Sequence, residues 1–237
     1  MEKKFLTLTE PHLHTDISLC GVVAAQEIPA LYKAAGFGNL IVTDHWNEHT
    51  LAQFPGSRAE KNQSWLDGYR AVQENAARLG ITVFLGMELS LLGGHEDYLV
   101  YGVTGEFLRE YPDLYRYSMD EVFQEICDSN LLLYQAHPFR SYTNIRPAER
   151  IAEYKRGINV KLMHGVEVYN LNPRHKNDNA SALALAEEYG LLQIAGSDFH
   201  QYEDTGRGGI YLPCEIQTNG QLVEHLKKGA VEMYLGK

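Results

Sequence analysis

The chain has 237 residues, is 44% hydrophobic and carries a formal net charge of −10. A chain of this length can bury one substantial core, so we expect a single domain spanning residues 1–237. The acidic balance argues against a nucleic acid polymer as a partner, because such binding depends on clustered Lys and Arg. A small anionic substrate remains compatible, since bound divalent cations reverse the local field.

The sequence also predicts the cellular setting. Its start has no apolar segment of signal-peptide length, and no run approaches the roughly 18 residues that span a bilayer. The three cysteines, Cys20, Cys127 and Cys214, are widely spaced and odd in number, which favours reduced thiols over a disulfide framework. We therefore expect a cytoplasmic protein with no membrane contact. The oligomeric state cannot be read from the sequence.

Short apolar runs alternate along the chain with segments of helical period. The predicted strands lie at residues 3–10, 38–45, 81–89, 96–103, 130–138, 164–170 and 191–200. The predicted helices lie at residues 24–35, 64–79, 118–129, 180–189 and 221–228. This alternation predicts βαβ units and a mostly parallel sheet, either a closed barrel or an open doubly wound sheet.

Side chains of metal-ligand type stand at the ends of six predicted strands. They are His12 and His14, Asp44 and His45, Glu88, His137, Glu167 and Asn170, and Asp198 and His200. In a parallel barrel these ends open on one face, where the loops form the active site. Residues i and i+2 of an extended chain point to the same side. His12 and His14 can therefore reach one ion, and so can Asp198 and His200. Imidazole together with carboxylate favours zinc, manganese or iron over calcium.

The order of these motifs resembles the PHP (polymerase and histidinol phosphatase) superfamily. The motifs are H-x-H-T, T-D-H, G-x-E, A-H-P and G-S-D-x-H, from about residue 10 to about residue 200. Each is short, but five in this order at strand ends form a specific signal. The resemblance implies an α/β fold, a distorted (β/α)7 TIM-like barrel with two or three divalent ions at the C-terminal ends of the strands. It also implies phosphoester hydrolysis by a metal-bound hydroxide in a small free-standing enzyme.

The resemblance further assigns ligands to two ions. Those of the first ion are expected to be His12, His14, Glu88 and Asp198. Glu88 is expected to bridge to a second ion, which His137 also holds. Asp97 stands where many relatives have a further histidine, and because a carboxylate can ligate, we expect it at the second ion too.

A third ion is expected at His45 and His200. Relatives complete this site from the loop after H-x-H-T, often with a histidine that follows Cys-Gly, and this chain has Val22 there. The third site is then weak, empty, or completed by Cys20 or water. Cys20 has two interpretations that stay open, a metal ligand or a small apolar residue.

Other acidic and amide residues at the strand ends are expected to support the ligands. Glu10 stands where relatives usually have aspartate, and we expect it to orient an imidazole by a hydrogen bond. Asp44 is expected to do the same. Glu167 and Asn170 have two open interpretations: they contact the ligands, or they cap the barrel rim.

Phosphate recognition requires cations besides the metal ions. Arg140 follows the A-H-P motif directly, and Arg207 lies seven residues after the last ligand in a glycine-containing loop. A guanidinium group suits bidentate phosphate contact, so both are candidates. Residues 174–176, Arg-His-Lys, are a weaker third candidate. A metal-bound water, His200 and His45 are the candidates for protonating the leaving alkoxide.

The predicted activity is hydrolysis of a phosphate monoester of a small metabolite or nucleotide. A histidinol-phosphatase-like enzyme is one alternative, although Val22 departs from the Cys-Gly-His form. An amidohydrolase-type C–N hydrolase is another, but its typical bridging lysine is missing from the predicted strand ends. The third alternative is a catalytically degenerate, metal-binding regulatory module.

Overall fold

The computed structural model describes residues 6–140, 160–229 and 231–236. The strands in these ranges are β1 (Leu6–Leu13), β2 (Asn39–Val42), β3 (His45–Trp46), β4 (Thr82–Ser90), β5 (Asp97–Tyr101), β6 (Leu132–Gln135), β7 (Gly165–Asn170), β8 (Leu192–Gly196), β9 (Gly209–Pro213) and β10 (Glu232–Tyr234). The α-helices in the same ranges are α1 (Ile28–Ala34), α2 (Glu48–Ala52), α3 (Arg58–Ala77), α4 (Gly105–Glu110), α5 (Met119–Asp128), α6 (Asn179–Tyr189) and α7 (Asn219–Leu226).

The strands form one mixed sheet in the order β10-β9-β1-β2-β4-β5-β6-β7-β8, with β3 paired to β4. The pairs β1–β2, β2–β4, β6–β7 and β7–β8 are parallel. Strand β5 is antiparallel to both of its neighbours, because a short connection after β4 forms a hairpin. The sheet is therefore less parallel than the sequence predicted, and β9 and β10, which were not predicted, are also antiparallel.

The sheet nearly closes into a barrel at the end where the parallel strands finish. Leu13, the last residue of β1, forms a parallel bridge with Phe199, just beyond β8. The His14 amide donates to the Phe199 carbonyl at 2.9 Å, and the Phe199 amide donates to the His12 carbonyl at 3.1 Å. The predicted α/β barrel is thus confirmed, while the regular (β/α)7 pattern is interrupted by the β4–β5 hairpin.

The helix boundaries follow their capping residues. Helix α3 begins six residues earlier than predicted, because Ser57 and Glu60 form a capping box ahead of the apolar segment. Helix α5 begins after Ser118, whose capping box with Glu121 was predicted. Helices α2 and α4, at five and six residues, were missed because they are too short to show a helical period.

Helix α3 links the apolar core to the strand ends. Its Trp65 is buried and packs edge to face on Trp46 of β3, with ring centroids 4.9 Å apart. The Trp65 indole N–H also donates to the His45 carbonyl at 2.9 Å. The core thereby holds His45 in place at the rim of the barrel.

The described ranges contain no helix that is both long and apolar enough to span a bilayer. The single-domain organisation stays a prediction.

Candidate metal centre

The predicted ligands converge at the rim where the parallel strands end. His12 and His14 come from the end of β1, Glu88 from β4, and His137 from the loop after β6. The His12 and His14 Nε2 atoms lie 3.1 Å apart. Glu88 Oε1 is 3.4 Å from His12 Nε2 and 3.0 Å from His137 Nε2, and Glu88 Oε2 is 3.1 Å from His14 Nε2. All four side chains are buried, so one carboxylate lies among three imidazoles out of contact with solvent.

Asp198 completes the inner group. Its Oδ1 lies 3.3 Å from His12 Nε2 and 3.5 Å from His14 Nε2. The backbone of Asp198 is left-handed, with φ of 51°, and so is that of His137, with φ of 26°. The extended-chain argument for pairing Asp198 with His200 was therefore wrong in its geometry, although the His200 Nδ1 atom does lie 3.4 Å from Asp198 Oδ1. Strained backbone at two candidate ligands is typical of functional sites.

A second group of ligand atoms lies beside the first and shares His14 with it. The Sγ atom of Cys20 and ring nitrogens of His14, His45 and His200 all lie within 4.8 Å of one another. His45 Nδ1 is also 3.0 Å from Glu88 Oε2, which connects this group to the inner one. The rings of His14 and His200 stack, with centroids 4.3 Å apart.

Hydrogen bonds turn the Nε2 atoms of three imidazoles toward these groups. His12 Nδ1 contacts Glu167 Oε1 at 2.9 Å, His14 Nδ1 contacts Ser18 Oγ at 3.2 Å, and His200 Nδ1 contacts the Asp198 carbonyl at 2.8 Å. Carboxylate and carbonyl oxygens only accept, so Nδ1 of His12 and of His200 carries the proton. Their Nε2 lone pairs are then free for an ion, which is the usual arrangement of metal-binding histidine.

The charge distribution fits divalent cations. Glu88 Oε2, Asp198 Oδ1 and His45 Nδ1 are buried, and none has a well-directed hydrogen bond within the described ranges. Buried charges are costly unless they are paired or coordinate a metal. Two neighbouring Nε2 lone pairs, on His12 and His14, repel unless a cation or a proton lies between them. The residues present therefore suit the metal ions that the sequence predicted.

Without metal, the same site would hold protons. Burial disfavours the imidazolium form, but the facing carboxylates outweigh it and raise the pKa of His12 well above its usual value. Burial likewise acts to raise the pKa of Glu88, but neighbouring imidazoles, His45 first, hold it well below the usual range. Ligand deprotonation must therefore accompany metal binding.

Glu167 contacts the ligands rather than capping the rim. Besides its bond to His12, its Oε2 accepts from the His137 amide at 2.9 Å and from Asn170 Nδ2 at 3.0 Å. Asn170 Nδ2 also lies 3.2 Å from Asp198 Oδ2. The sequence left both roles open, and the structure resolves them in favour of ligand support.

Asp44 orients an imidazole through an intermediate that sequence reasoning missed. Its carboxylate accepts from the Thr15 amide at 2.8 Å, the Thr15 hydroxyl at 2.7 Å and the Ser18 hydroxyl at 2.7 Å. Ser18 Oγ then accepts from His14 Nδ1 and, at 2.9 Å, from the His45 amide. Ser18 lies in the loop after the H-x-H-T motif, four residues after His14. The only feature of the sequence that could have indicated this role is a hydroxyl side chain close to the ligands.

Glu10 does not orient an imidazole, contrary to the prediction. Its carboxylate accepts from the His12 amide at 3.1 Å, the Ser197 amide at 3.0 Å, the Ser197 hydroxyl, and the Tyr32 hydroxyl at 3.0 Å. It thereby ties β1 to the segment that carries Asp198. Burial raises the pKa of Glu10 to about 7, although these hydrogen bonds oppose the shift.

Asp97 lies at the rim but outside both ligand groups. Because β5 is antiparallel, its first residue lies opposite Ser90 at the end of β4. Asp97 Oδ1 accepts from the Ser90 hydroxyl at 2.6 Å, and Asp97 Oδ2 is 3.9 Å from His137 Nε2. The Asp97 carboxylate is therefore farther from His137, the expected ligand of the second ion, than Glu88 Oε1 is, at 3.0 Å.

The two candidate arginines occupy different environments. Arg140 is buried and forms an ion pair with Asp198, which places its guanidinium beside the ligands. Arg207 is exposed and donates to the Glu203 carbonyl at 3.0 Å.

The third basic candidate, residues 174–176, lies beside the site: burial first, and then the charge of Arg140, lower the pKa of His175 to about 4. Arg174 pairs with Asp204 at 2.8 Å, and Asp204 accepts from the His200 amide at 3.0 Å. Arg174 thus supports the His200 segment from outside. Arg140 is consequently the best-placed of the predicted phosphate-binding groups.

Cys20 is an exposed thiol among histidines. Its partial burial acts to raise the pKa, but hydrogen bonds with His200 and His45 dominate and lower the pKa of Cys20 to about 5. Val22 is 67% exposed, so its side chain points away from the site.

Residues 176–231 match a protein-family model described as PHP-associated. No curated protein sequence matches the chain. Among solved structures, similar ones include a two-domain protein from Bacteroides vulgatus that contains a predicted PHP-like metal-dependent phosphoesterase, with 20% identity and a TM-score of 0.65. The alignment covers 98% of this chain and 65% of that one.

Two further similar structures carry different activities. One is the lesion-specific endonuclease PfuEndoQ from Pyrococcus furiosus, with 15% identity, a TM-score of 0.63 and coverage of 97% of this chain and 58% of that one. The other is an amidohydrolase from Chromobacterium violaceum with bound sulfate, with 18% identity, a TM-score of 0.54 and coverage of 92% and 96%. The chain spans less than two thirds of the Bacteroides and Pyrococcus proteins. At these identities, the likenesses show the fold alone.

The shared fold and the match to the PHP-associated model agree with the order of the motifs. The match is confined to residues 176–231, and over that part of the chain it supports the predicted resemblance to the PHP superfamily.

Proposed function

We propose that this chain is a PHP-superfamily enzyme that hydrolyses a phosphate monoester of a small metabolite or nucleotide with the help of divalent ions. The observation that carries the proposal is the continuity of the ligand groups. His12, Glu88 and His137 form one group, and His12, His14 and Asp198 form another. Groups that share ligands on one rim of a barrel are suited to hold neighbouring ions, the usual arrangement for phosphate ester hydrolysis.

Ions bound in these positions would acidify a coordinated water and neutralise charge on the phosphoryl oxygens. The chain itself holds the ligands rigidly. Glu167 and Asp44 fix imidazole tautomers, directly at His12 and through Ser18 at His14. Such supporting carboxylates typically contribute about 10- to 100-fold in metal affinity or activity.

Arg140 is the group we assign to the phosphoryl oxygens. Its guanidinium lies against Asp198, at the edge of the inner ligand group. Ligation of Asp198 would satisfy that carboxylate by other means, so the planar fork of Arg140 could turn to a phosphate. Arg207 remains a second candidate, since it is exposed on a neighbouring loop.

Proton transfer to the leaving alkoxide is assigned to His200 or His45 in the form of the site that holds no ion between them. His200 keeps its Nδ1 proton on the Asp198 carbonyl, which leaves Nε2 to ligate or to exchange a proton, but not both at once. His45 is the more accessible of the two, with a side chain that is 21% exposed. A group at the rim can reach a leaving group that points toward solvent.

The proposed substrate is small. The net charge of −10 disfavours binding of a long polyanion. A small phosphorylated metabolite or nucleotide remains compatible with this charge, because divalent cations bound at the site would reverse the local field. Zinc, manganese and iron all suit the imidazole and carboxylate ligands. Histidinol phosphate stays within this class. The amidohydrolase alternative has the fold in its favour, but its typical bridging lysine is missing from the predicted strand ends.

The test is metal analysis of protein purified without chelator, combined with hydrolysis assays. The substrate panel holds an aryl phosphate monoester, an aryl phosphodiester and an aryl amide, each tested before chelation, after chelation and after return of zinc or manganese. We expect at least two ions per chain and chelator-sensitive hydrolysis of the monoester. His12→Ala should abolish both, whereas His95→Ala, at an exposed residue that belongs to none of the described ligand groups, should change neither.

Each other result has a defined meaning. Cleavage of the amide alone would replace the proposal with a C–N hydrolase. Bound metal with no hydrolysis of any phosphate, including a broad set of phosphorylated metabolites, would favour the regulatory module. Full monoester hydrolysis by His12→Ala would refute the assigned metal centre.

A further inference from the structure

The outer ligand group differs chemically from the inner ones. The inner groups contain only imidazole and carboxylate, whereas the outer group contains the Cys20 thiol together with His14, His45 and His200. Resting on the proposed metal centre, we propose that Cys20 is a thiolate ligand of the third ion and makes that position selective for a thiophilic metal such as zinc.

The geometry fits one ion. Tetrahedral zinc with bonds of about 2.0 to 2.3 Å has ligand atoms roughly 3.3 to 3.8 Å apart. The four ligand atoms of this group lie within 4.8 Å of one another before any ion draws them together. His14 Nε2 has one lone pair and belongs to the inner group, so Cys20, His45 and His200 supply three ligands of the third ion and leave its fourth position open. Only small shifts of these side chains are therefore needed.

The loop that carries Cys20 is built to hold it there. The Ser18 amide donates to the Thr15 carbonyl at 3.1 Å, and the Gly21 amide donates to the Ser18 carbonyl at 2.9 Å. A Cβ at Gly21 would lie 2.0 Å from the Thr15 carbonyl oxygen, so this turn requires glycine after the cysteine. The Val22 amide then donates to the His200 carbonyl at 2.9 Å. Cys20 is thus fixed against the segment of another ligand.

The departure at Val22 is consistent with this role. Its side chain is 67% exposed and offers no ligand atom. The loop instead offers the thiolate of Cys20, two residues earlier, in place of the imidazole nitrogen that relatives often supply at the position of Val22. Thiolate ligands favour zinc or iron over manganese and magnesium, which prefer oxygen and, for manganese, nitrogen.

The two other cysteines provide internal controls. Cys127 and Cys214 are both exposed. Cys127 lies 3.8 Å from a single imidazole, that of His164, and Cys214 lies 3.9 Å from Glu215. Neither belongs to a group of three or more ligand residues within the described ranges.

The first measurement is alkylation of the wild-type protein with iodoacetamide, with each cysteine followed by peptide mass spectrometry. The metal-free protein is compared with protein loaded with zinc or manganese. Because the thiolate is the nucleophile and coordination occupies it, zinc should slow modification of Cys20 about tenfold or more. Manganese should protect Cys20 less, and the rates at Cys127 and Cys214 should not change.

The second measurement is the absorption spectrum of cobalt-loaded protein. A thiolate bound to cobalt produces a near-ultraviolet charge-transfer band, which should be present in the wild type, absent in Cys20→Ser and retained in Cys214→Ser. An unprotected Cys20 and no such band, in protein that still binds ions and hydrolyses the monoester, would overturn this inference and leave the proposed function standing. A protein that binds no ion at all would overturn both.

Discussion

Glu167 gives the most direct test of how the ligands are held. Its carboxylate accepts three hydrogen bonds, from His12 Nδ1 at 2.9 Å, the His137 amide at 2.9 Å and Asn170 Nδ2 at 3.0 Å. In Glu167→Gln the amide oxygen can still accept from the His137 amide and from Asn170 Nδ2. The NH2 group then faces His12 Nδ1, which must give up its proton to accept.

The consequence is a reversed tautomer. The His12 proton moves to Nε2, the atom that faces the other ligands, and it must be lost or moved again before a metal binds. Supporting groups of this kind contribute about 10- to 100-fold in metal affinity. We therefore expect the dissociation constant of the tightest ion to rise by about that factor, or about 1.4 to 2.8 kcal/mol.

The assay is competition for zinc with a chromophoric chelator of known affinity. Glu187→Gln on the exposed face of α6 is the matched control and should bind zinc as the wild type does. Circular dichroism checks that the variant is folded. A folded Glu167→Gln protein with unchanged zinc affinity would refute the argument that Glu167 fixes the tautomer.

Two further predictions concern stability, measured by urea unfolding. Gly68→Ala in α3 should destabilise the protein by about 1 to 3 kcal/mol, because the added Cβ would lie 2.7 Å from Thr15 Oγ1. The control is Gly220→Ala, whose Cβ would have no atom within 4 Å and which should be neutral or slightly stabilising. Equal effects of the two substitutions on the free energy of unfolding would contradict the tight packing at Gly68. Chelated Cys20→Ser protein should be less stable at pH 8 than at pH 5, because the raised pKa of Glu10, about 7 against 4.5, and the raised pKa of His12 both give stability that is lost as pH rises. The serine removes the opposite contribution of the Cys20 thiol, whose pKa is lowered to about 5. Zinc should reverse this trend, since its ligands must be deprotonated, and His12→Asn should flatten the slope in chelated protein; a metal-free stability that rises from pH 5 to pH 8 would show that these groups do not control it.

The sequence alone determined which side chains are candidates for the inner ligands and the side of the fold on which they lie. His12, His14, Glu88, His137 and Asp198 each follow or end an apolar run, and local pattern is enough to locate such runs. Once the strands are known, the barrel brings their ends together. The spacing of His12 and His14 also fixed their common direction, because strand alternation is a property of neighbouring residues.

Tertiary structure decided what depends on register between distant segments. Glu167 meets His12 across 155 residues of sequence, and no local signal separates that contact from a place at the rim. Glu10 accepts hydrogen bonds from Tyr32 and Ser197, which come from distant parts of the chain. The local sequence around Glu10 therefore could not predict these partners. The sequence left the role of Cys20 open, and the fold of its loop brings its thiol beside three histidines. Local sequence sets which side chains are available, and the packing of the whole barrel sets which of them touch.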